Sequence, residues 1–258
     1  MSKKGIIDIN CDMGESFGIY KLGMDDKIIE YVTSANIACG FHAGDHNVMK
    51  DTVEIAINSE TGIGAHPGFP DMPGFGRRKM DIKGEELKNL LVYQIGALSA
   101  FAKARGKKLQ HVKPHGALYN MASSNYEMAK IVAESVKNVN NNLILVALGG
   151  STLYKAAEDI GLRVAFEAFA DRVYADDGTL ASRSKEGAVI ENSGEISRRV
   201  VRMIKEGRAE TITGNVIEME PDTICVHGDN PEALKIVKDL VKNLHNAGIN
   251  ILPMGEFL

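Results

Sequence analysis

Seven short apolar segments of this chain each end in a polar cluster rich in His, Asp, Glu, Lys or Gly. Segments this short, with many β-branched residues, predict buried strands. Helical patterns separate most of them, which predicts parallel strands joined by crossover connections. The predicted strands cover residues 5–10, 35–41, 63–65, 112, 143–148, 164–169 and 223–226.

The segments between the strands show the spacing of amphipathic helices. Leu87, Leu91, Ile95 and Leu98, for example, form one apolar stripe. Over 258 residues this pattern predicts a single α/β domain, a TIM-like (β/α) barrel of seven or eight strands. An apolar run at 249–252 would either close the barrel as the eighth strand or pair at its edge. The predicted helices cover residues 44–59, 84–105, 125–138, 151–160, 193–206 and 231–247.

Composition argues against several classes of protein. The formal net charge of −4 offers no basic patch for nucleic acid. The first apolar run is broken by Asp8 and Asn10, which makes it too short for a signal peptide or a membrane span. Three cysteines, an odd number, argue against a disulfide framework. They predict a cytoplasmic protein whose thiols are buried.

Two long segments interrupt the alternation of strands and helices. Residues 68–78 are dense in Gly, Pro and Phe, and residues 171–191 are polar and contain a turn at Asp176-Asp177-Gly178. Loops of this length in a compact domain are usually functional or disordered. Both follow predicted strands, and the active site of a parallel barrel lies at the carboxyl ends of its strands. We therefore expect both loops to cover the active site.

The first polar cluster supplies two carboxylates, Asp12 and Glu15, just after the first predicted strand. Two carboxylates at one strand end can divide the roles of acid, base and metal ligand if their environments separate their pKa values. We therefore predict catalytic roles for both residues. The alternative is that Glu15 is a solvated loop residue.

The second cluster contains His42 and His46 around a predicted helix start. Residues four apart share a helix face, so both imidazoles could bind one divalent ion together with Asp12. Asp45 would cap the same helix or interact with its positive end. The alternative is that the two histidines serve only capping and core packing.

The third and fourth clusters place His66, Lys113 and His115 at strand ends. A proline follows His66 and Lys113 directly, which holds both in extended backbone. We predict that His66 binds substrate, that His115 is a general acid or base, and that Lys113 stabilises an oxyanion. The alternative for each is a structural role. His111 and His245 are predicted to be ordinary residues of a strand start and a surface helix.

The remaining clusters lie in the second half of the chain. Arg172 and Arg183, in the 171–191 loop, could each form a bidentate ion pair with a substrate carboxylate or phosphate. Surface ion pairs are the alternative. His227 follows the last predicted strand and is predicted to bind substrate, and capping of the next helix is the alternative role for Asp229. The sequence contains no GxxxxGK[ST], GxGxxG, HExxH or CxxC motif.

Taken in order, these clusters resemble the LamB/YcsF family, the A subunit of bacterial ATP-dependent 5-oxoprolinase. The resemblance spans nearly the whole chain. The matching stretches are DINCDMGESFG at residues 8–18, ANIACGFHAGDH at 35–46, GAHPGFPDMPGFGR at 64–77, VKPHGALY at 112–119, EAFADRVY at 167–174, DGTLASRSKEG at 177–187 and CVHGDN at 225–230.

The resemblance implies a barrel of the glycoside hydrolase/deacetylase type. It also implies cleavage of 5-oxo-L-proline to L-glutamate with two partners, subunits B and C, in a complex that hydrolyses ATP to ADP and phosphate. A weaker resemblance is to polysaccharide deacetylases, whose divalent metal site uses an Asp pair and an HxxxH motif. Asp12, His42 and His46 occupy similar places, but residues 10–12 read Asn-Cys-Asp rather than ending in adjacent aspartates.

Two other functions stay open at this stage. One is a metal-dependent carbohydrate deacetylase or amidase that acts alone, which tightly bound zinc and activity without ATP would favour. The other is a non-catalytic scaffold subunit, which would keep turnover and assembly when the polar clusters are mutated. Either a single chain or a homo-oligomer is compatible with the sequence.

Overall fold

The computed structural model of the chain describes residues 5–182, 184–226 and 232–258. Two 3-10 helices cover Ile29–Tyr31 and Met254–Glu256. The strands are β1 (Ile6–Met13), β2 (Ser34–Ala38), β3 (Gly62–His66), β4 (His111–Val112), β5 (Ile144–Leu148), β6 (Val164–Phe169), β7 (Arg208–Glu210), β8 (Val216–Glu218), β9 (Thr223–Val226) and β10 (Asn250–Ile251). The helices are α1 (Asp25–Ile28), α2 (His46–Asn58), α3 (Gly84–Ala104), α4 (Gly116–Ala122), α5 (Tyr126–Val139), α6 (Thr152–Asp159), α7 (Ser193–Glu206) and α8 (Ala233–Asn246).

Seven parallel strands close into a barrel. Their order is β1, β2, β3, β4, β5, β6 and β9, and β9 pairs with β1 to complete the ring. The last strand, β10, pairs with β1 only at Ile6 and Ile7, beside the start of β1. The predicted (β/α) barrel is therefore confirmed, with the final apolar run at its edge rather than in the ring. None of the described helices is long and apolar enough to cross a lipid bilayer.

Strand residues alternate between the two faces of the barrel wall, and on β1 the residues that face inward are polar. Along β1, Asp8, Asn10 and Asp12 make hydrogen bonds to residues of neighbouring strands inside the ring. The residues between them, such as Ile9 and Cys11, belong to the apolar core. Both faces of β1 are thus buried, but only one of them is apolar.

Several elements differ from the sequence prediction. The short helices α1 and α4 and the antiparallel hairpin of β7 and β8 were not predicted, because segments of three to seven residues carry too few apolar positions to show a period. Helix α2 begins at His46, not at residue 44. Asp45 is its N-cap and accepts hydrogen bonds from the backbone N–H groups of Asn47 and Val48. Capping was one of the two roles predicted for Asp45.

The amino-terminal end of the barrel is filled by the end of the chain. Met254 is fully buried with Ile144, Val146 and Ala165 in a small apolar cluster. Its backbone N–H donates to Asp8 Oδ1 over 3.2 Å. Asp8 also accepts hydrogen bonds from the hydroxyl groups of Thr33, Ser34 and Thr223.

Two glycines of β3 make room for side chains from the neighbouring strand. A Cβ atom on Gly64 would overlap the imidazole of His111, and one on Gly62 would overlap the amide of Gln110. His111 uses this space to reach Asn36 Oδ1, 2.8 Å from its Nε2 atom. The small residues of β3 therefore allow the polar network to cross the barrel.

We predict that Gly64→Ala destabilises the protein by about 1–3 kcal/mol, because the added methyl group overpacks the interior against His111. The matched control is Gly96→Ala in α3, where an added Cβ meets nothing within 4 Å. That exposed helical change should leave the free energy of unfolding unchanged or raise it by up to ~1 kcal/mol. Urea unfolding of both variants measures the difference, and equal effects would contradict the packing described here.

We also predict a pH dependence of stability from Asp8. Burial raises the pKa of Asp8 from 3.8 to about 6, and its hydrogen bonds only partly oppose this. The folded state therefore binds the proton more tightly than the unfolded state. The resulting stabilisation is fully present below pH 3.8 and is lost as the pH rises through about 6.

The non-titrating variant Asp8→Asn isolates this effect. From pH 4 to pH 8, the free energy of unfolding of the wild type should fall by roughly 2 kcal/mol relative to the variant. Urea unfolding of both proteins across this range provides the measurement. A difference that stays constant with pH would show that Asp8 keeps one protonation state.

Candidate active site

The polar residues at the carboxyl end of the barrel form two adjoining groups. The first, here called the lysine network, consists of Asp12, Lys113, Tyr119, Glu167 and Cys225. The second, here called the histidine cluster, consists of Glu15, His42, His66 and His115. The two groups meet where Asp12 Oδ2 lies 3.3 Å from His66 Nε2. The sequence prediction that strand ends assemble one site is consistent with this arrangement.

The ammonium group of Lys113 is the centre of the lysine network. It follows β4 and reaches across the barrel to Glu167 Oε1 at 2.8 Å and Asp12 Oδ1 at 3.0 Å. Asn10 Oδ1 at 3.1 Å and Cys225 Sγ at 3.2 Å complete its surroundings. An ammonium group has three donors, and protein acceptors already engage them. Lys113 therefore orients its neighbours rather than offering a free donor.

Opposite charges stabilise each other in this network. Burial opposes the charge of Lys113, but the attraction of Asp12 and Glu167 outweighs it and holds the pKa of Lys113 well above its usual value. Burial likewise raises the pKa of Asp12, but His66 and Lys113 outweigh that effect and hold the pKa well below its usual range. Asp12 is consequently an ionised carboxylate at neutral pH.

Glu167 and Tyr119 support the lysine from the far side of the barrel. Tyr119 donates from its hydroxyl group to Glu167 Oε2 over 2.7 Å. Burial raises the pKa of Tyr119 well above its usual value, and the nearby charge of Glu167 adds to the effect. The tyrosine thus stays a hydrogen-bond donor, and both carboxylate oxygens of Glu167 have partners.

The histidine cluster is held by backbone carbonyl groups. His66 Nδ1 lies 2.6 Å from the carbonyl oxygen of Lys113, and His115 Nε2 lies 2.9 Å from that of Phe75. The other two ring nitrogens, His66 Nε2 and His115 Nδ1, face each other at 2.9 Å. Burial, with the neighbouring His66, lowers the pKa of His115 to about 3.

His42 stacks against His115, with ring centroids 3.7 Å apart and planes nearly parallel. Its Nε2 atom lies 3.2 Å from Glu15 Oε1. Phe75 packs edge-on against both rings, so the 68–78 loop contacts the site. Burial, with the neighbouring His115, holds the pKa of His42 well below its usual value.

Two carboxylates are the parts of these groups that solvent reaches most. The side chains of Asp12 and Glu15 are 19% and 13% exposed, whereas those of Lys113, His42 and Glu167 are 4% or less. A small molecule that enters the mouth of the barrel would therefore meet Asp12 and Glu15 first.

The structure does not bring His46 to the site. His46 is the first residue of α2 and is exposed, while His42 lies four residues before it in chain outside the helix. His42 and His46 therefore do not share a helix face, and among the described residues the group that could hold a metal ion contains His42 but neither Asp12 nor His46. The ligand atoms of the histidine cluster, by contrast, all lie within 4.8 Å of one another.

The predicted substrate-binding residues have different positions. His66 is buried and contacts Asp12 and His115. Arg172 is buried in the 171–191 loop and donates to the carbonyl oxygen of Ala181. Arg183 and His227 lie outside the described residues, and their roles stay predictions.

Sequence reasoning missed several members of the interior network. His111 was predicted to be ordinary, but it is fully buried and bonded to Asn36, and burial and the charge of Lys113 lower its pKa to about 3. Glu167 and Cys225 occupy inward positions of β6 and β9. The alternation of Asp8, Asn10 and Asp12 along β1 was the available signal. The three cysteines are free and buried, as predicted.

Comparison with known proteins finds relatives along the whole chain. The sequence profile of the LamB/YcsF family matches residues 7–258. A protein of Pyrococcus furiosus named as the A subunit of 5-oxoprolinase is 52% identical over 252 residues, which are 98% of this chain and 99% of the relative. One of the same name from Clostridium beijerinckii is 52% identical over 250 residues, which are 97% of this chain and 98% of the relative.

Solved structures agree with the fold. The lactam utilization protein from Thermus thermophilus superposes with a TM-score of 0.92 at 43% identity, covering 96% of this chain and 99% of that one. A family 4 carbohydrate esterase from Streptomyces lividans, in complex with acetate, has a TM-score of 0.52 at 11% identity, covering 96% and 91%. The second likeness extends to the fold alone.

Proposed function

Because this chain belongs to the LamB/YcsF family, we propose that it is the ring-opening subunit of an ATP-dependent 5-oxoprolinase. The reaction is cleavage of 5-oxo-L-proline to L-glutamate. Relatives about half identical over nearly their whole length are named as the A subunit of 5-oxoprolinase, which supports the substrate class. Three free cysteines support a reducing, cytoplasmic location.

The proposal divides the work between this chain and its partners. Subunits B and C hydrolyse ATP and use it to activate the lactam. This chain then adds water to the activated ring carbon and opens the ring. The word subunit in the names of the relatives supports an assembly. The sequence has no GxxxxGK[ST] motif, which supports ATP binding on another chain.

The observation that carries the proposal is the Asp12 carboxylate. It is ionised, partly exposed, and fixed between Lys113 and His66 at the mouth of the barrel. Water attack on an amide carbon needs a group that holds the water and accepts its proton. A low pKa favours positioning of the water by Asp12 over strong basicity, and Glu15 provides a second carboxylate beside it.

The other site residues position Asp12 in this proposal. Lys113, predicted from sequence to bind an oxyanion, has its donors engaged by Asp12, Glu167 and Asn10. His115, predicted to be the general acid, has its Nε2 atom bonded to the carbonyl oxygen of Phe75 and its Nδ1 atom turned toward His66 inside the histidine cluster. Neither is free to contact substrate, so we assign both to positioning.

An exposed apolar loop next to the site supports the assembly with partners. Directly after Glu15, Phe17, Ile19 and Tyr20 are 45%, 88% and 72% exposed. The loop has a defined shape, since Phe17 and Tyr20 pair with each other and the Gly18 N–H donates to Asp45 Oδ2. Apolar side chains held in water beside an active site are typical of an interaction surface.

We predict that the isolated chain hydrolyses little 5-oxoproline, with or without ATP, because activation of the lactam needs the partners. Adding subunits B and C should produce ATP-dependent release of glutamate. Glutamate and ADP are measured for the chain alone, for the chain with ATP, and for the chain with ATP and both partners. Robust turnover by the chain alone would contradict the division of work, and deacetylation of a sugar polymer by the chain alone would favour an esterase.

We predict that Asp12→Asn lowers turnover of the complex by at least ~100-fold, because the variant keeps the shape of the side chain but loses its charge. The matched control is Asp159→Asn, the same change at the exposed end of α6, where the carboxylate accepts only from Tyr126 among the described contacts. The control should keep turnover within about two-fold. Melting temperature and binding to the partners are measured on the same preparations.

The two readouts separate catalysis from folding. If Asp12 has only a structural role, its loss appears as lower stability with turnover nearly intact. A stable Asp12→Asn complex within a few-fold of the wild-type rate would remove Asp12 from the mechanism.

A further inference from the structure

The tautomer of the neutral His66 ring follows from its hydrogen bond to the backbone. Its Nδ1 atom lies 2.6 Å from the carbonyl oxygen of Lys113. A carbonyl oxygen only accepts hydrogen bonds, so Nδ1 carries the ring proton. In the neutral ring, Nε2 therefore presents a lone pair to the histidine cluster.

His115 is held in the opposite tautomer by the same kind of contact. Its Nε2 atom lies 2.9 Å from the carbonyl oxygen of Phe75 and must donate to it. Its Nδ1 atom therefore presents a lone pair and lies 2.9 Å from His66 Nε2. Two lone pairs at this distance repel each other unless a cation lies between them.

Further acceptors approach the same point. Glu15 Oε1 lies 3.6 Å from His115 Nδ1 and 3.2 Å from His42 Nε2. One extra proton would bridge a single pair of these ligand atoms, whereas one metal ion would bind the atoms of all four residues.

The spacing of the ligand atoms fits a metal ion. Zinc bonds to nitrogen and oxygen of about 2.0–2.1 Å in a tetrahedron place neighbouring ligand atoms about 3.3 Å apart. The three measured separations within the cluster, 2.9, 3.2 and 3.6 Å, lie on both sides of this value. Metal-binding histidines almost always donate their other ring N–H to a carbonyl or carboxylate, as His66 and His115 do here.

We propose that Glu15, His42, His66 and His115 bind one divalent transition-metal ion, most favourably zinc. Such an ion would supply Lewis acidity toward a carbonyl oxygen. Asp12 and Lys113 are not members of the ligand set. This ligand set replaces the one predicted from sequence, which included His46. Binding of the ion needs neither the partners nor ATP, so its test is independent of the proposed function.

The test measures metal binding to the full-length chain. Chain purified without chelator is analysed for metal content, then stripped with chelator and titrated with Zn²⁺ and Co²⁺. We expect one ion per chain, a higher melting temperature with the ion, and the visible absorption of four-coordinate Co²⁺. A wild-type chain that takes up neither ion would overturn the proposal.

Three variants identify the ligands. His115→Gln removes a ligand atom and should weaken metal affinity by at least ~100-fold, more than typical losses from outer contacts. His46→Gln, the matched control, changes an exposed histidine four residues from His42 and should leave the affinity within about two-fold. Glu15→Gln gives a second reading if His115→Gln does not fold, because the side chain of Glu15 is partly exposed. Loss of binding in His46→Gln, with retention in Glu15→Gln, would overturn the assignment.

Discussion

The ammonium group of Lys113 organises the carboxyl end of the barrel. It extends from the end of β4 to Asp12 on β1 and Glu167 on β6. A buried charge is tolerated only when it is paired and hydrogen-bonded. Strands β1 and β6 must therefore place Asp12 and Glu167 at the level of the barrel where the ammonium group of Lys113 lies. Because β1 and β6 flank β9, where the ring closes, the contacts that position Asp12 also hold the closing strands together.

The other polar side chains inside the barrel satisfy their hydrogen-bonding groups with one another. Asn10 accepts from Asn36 and donates to Thr223, and Asn36 in turn accepts from His111. Each of these side chains needs space across the barrel, which the glycines of β3 provide. The Asp12 carboxylate is thus held by Asn36 and Lys113, whose own partners lie inside the barrel, and this limits how far it can move when a substrate binds.

Strand ends were visible in the sequence because apolar runs stop abruptly there, and this was enough to find Asp12, Glu15, His42, His66, Lys113 and His115. The pairing of His42 with His46 was predicted from the four-residue spacing of a helix face, but His42 lies before α2, where that spacing does not apply. Glu167 and Tyr119 were missed because their pairing joins residues 48 positions apart. Such partners become apparent only when the order of strands in the ring is known.

The closure of the ring between β1 and β9 has a consequence for how the chain acquires its chemistry. Asp12 and Lys113 are 101 residues apart, Asp8 and Thr223 are 215 apart, and Asp8 and Met254 are 246 apart. Contacts of such long range form slowly, and during synthesis they must wait for the last strands to leave the ribosome. Until then the polar face of β1 has its partners on β2 but lacks Thr223 of β9, so an amino-terminal fragment without β9 does not contain the complete candidate site. The candidate site is therefore complete only after the last strand of the ring has paired with β1.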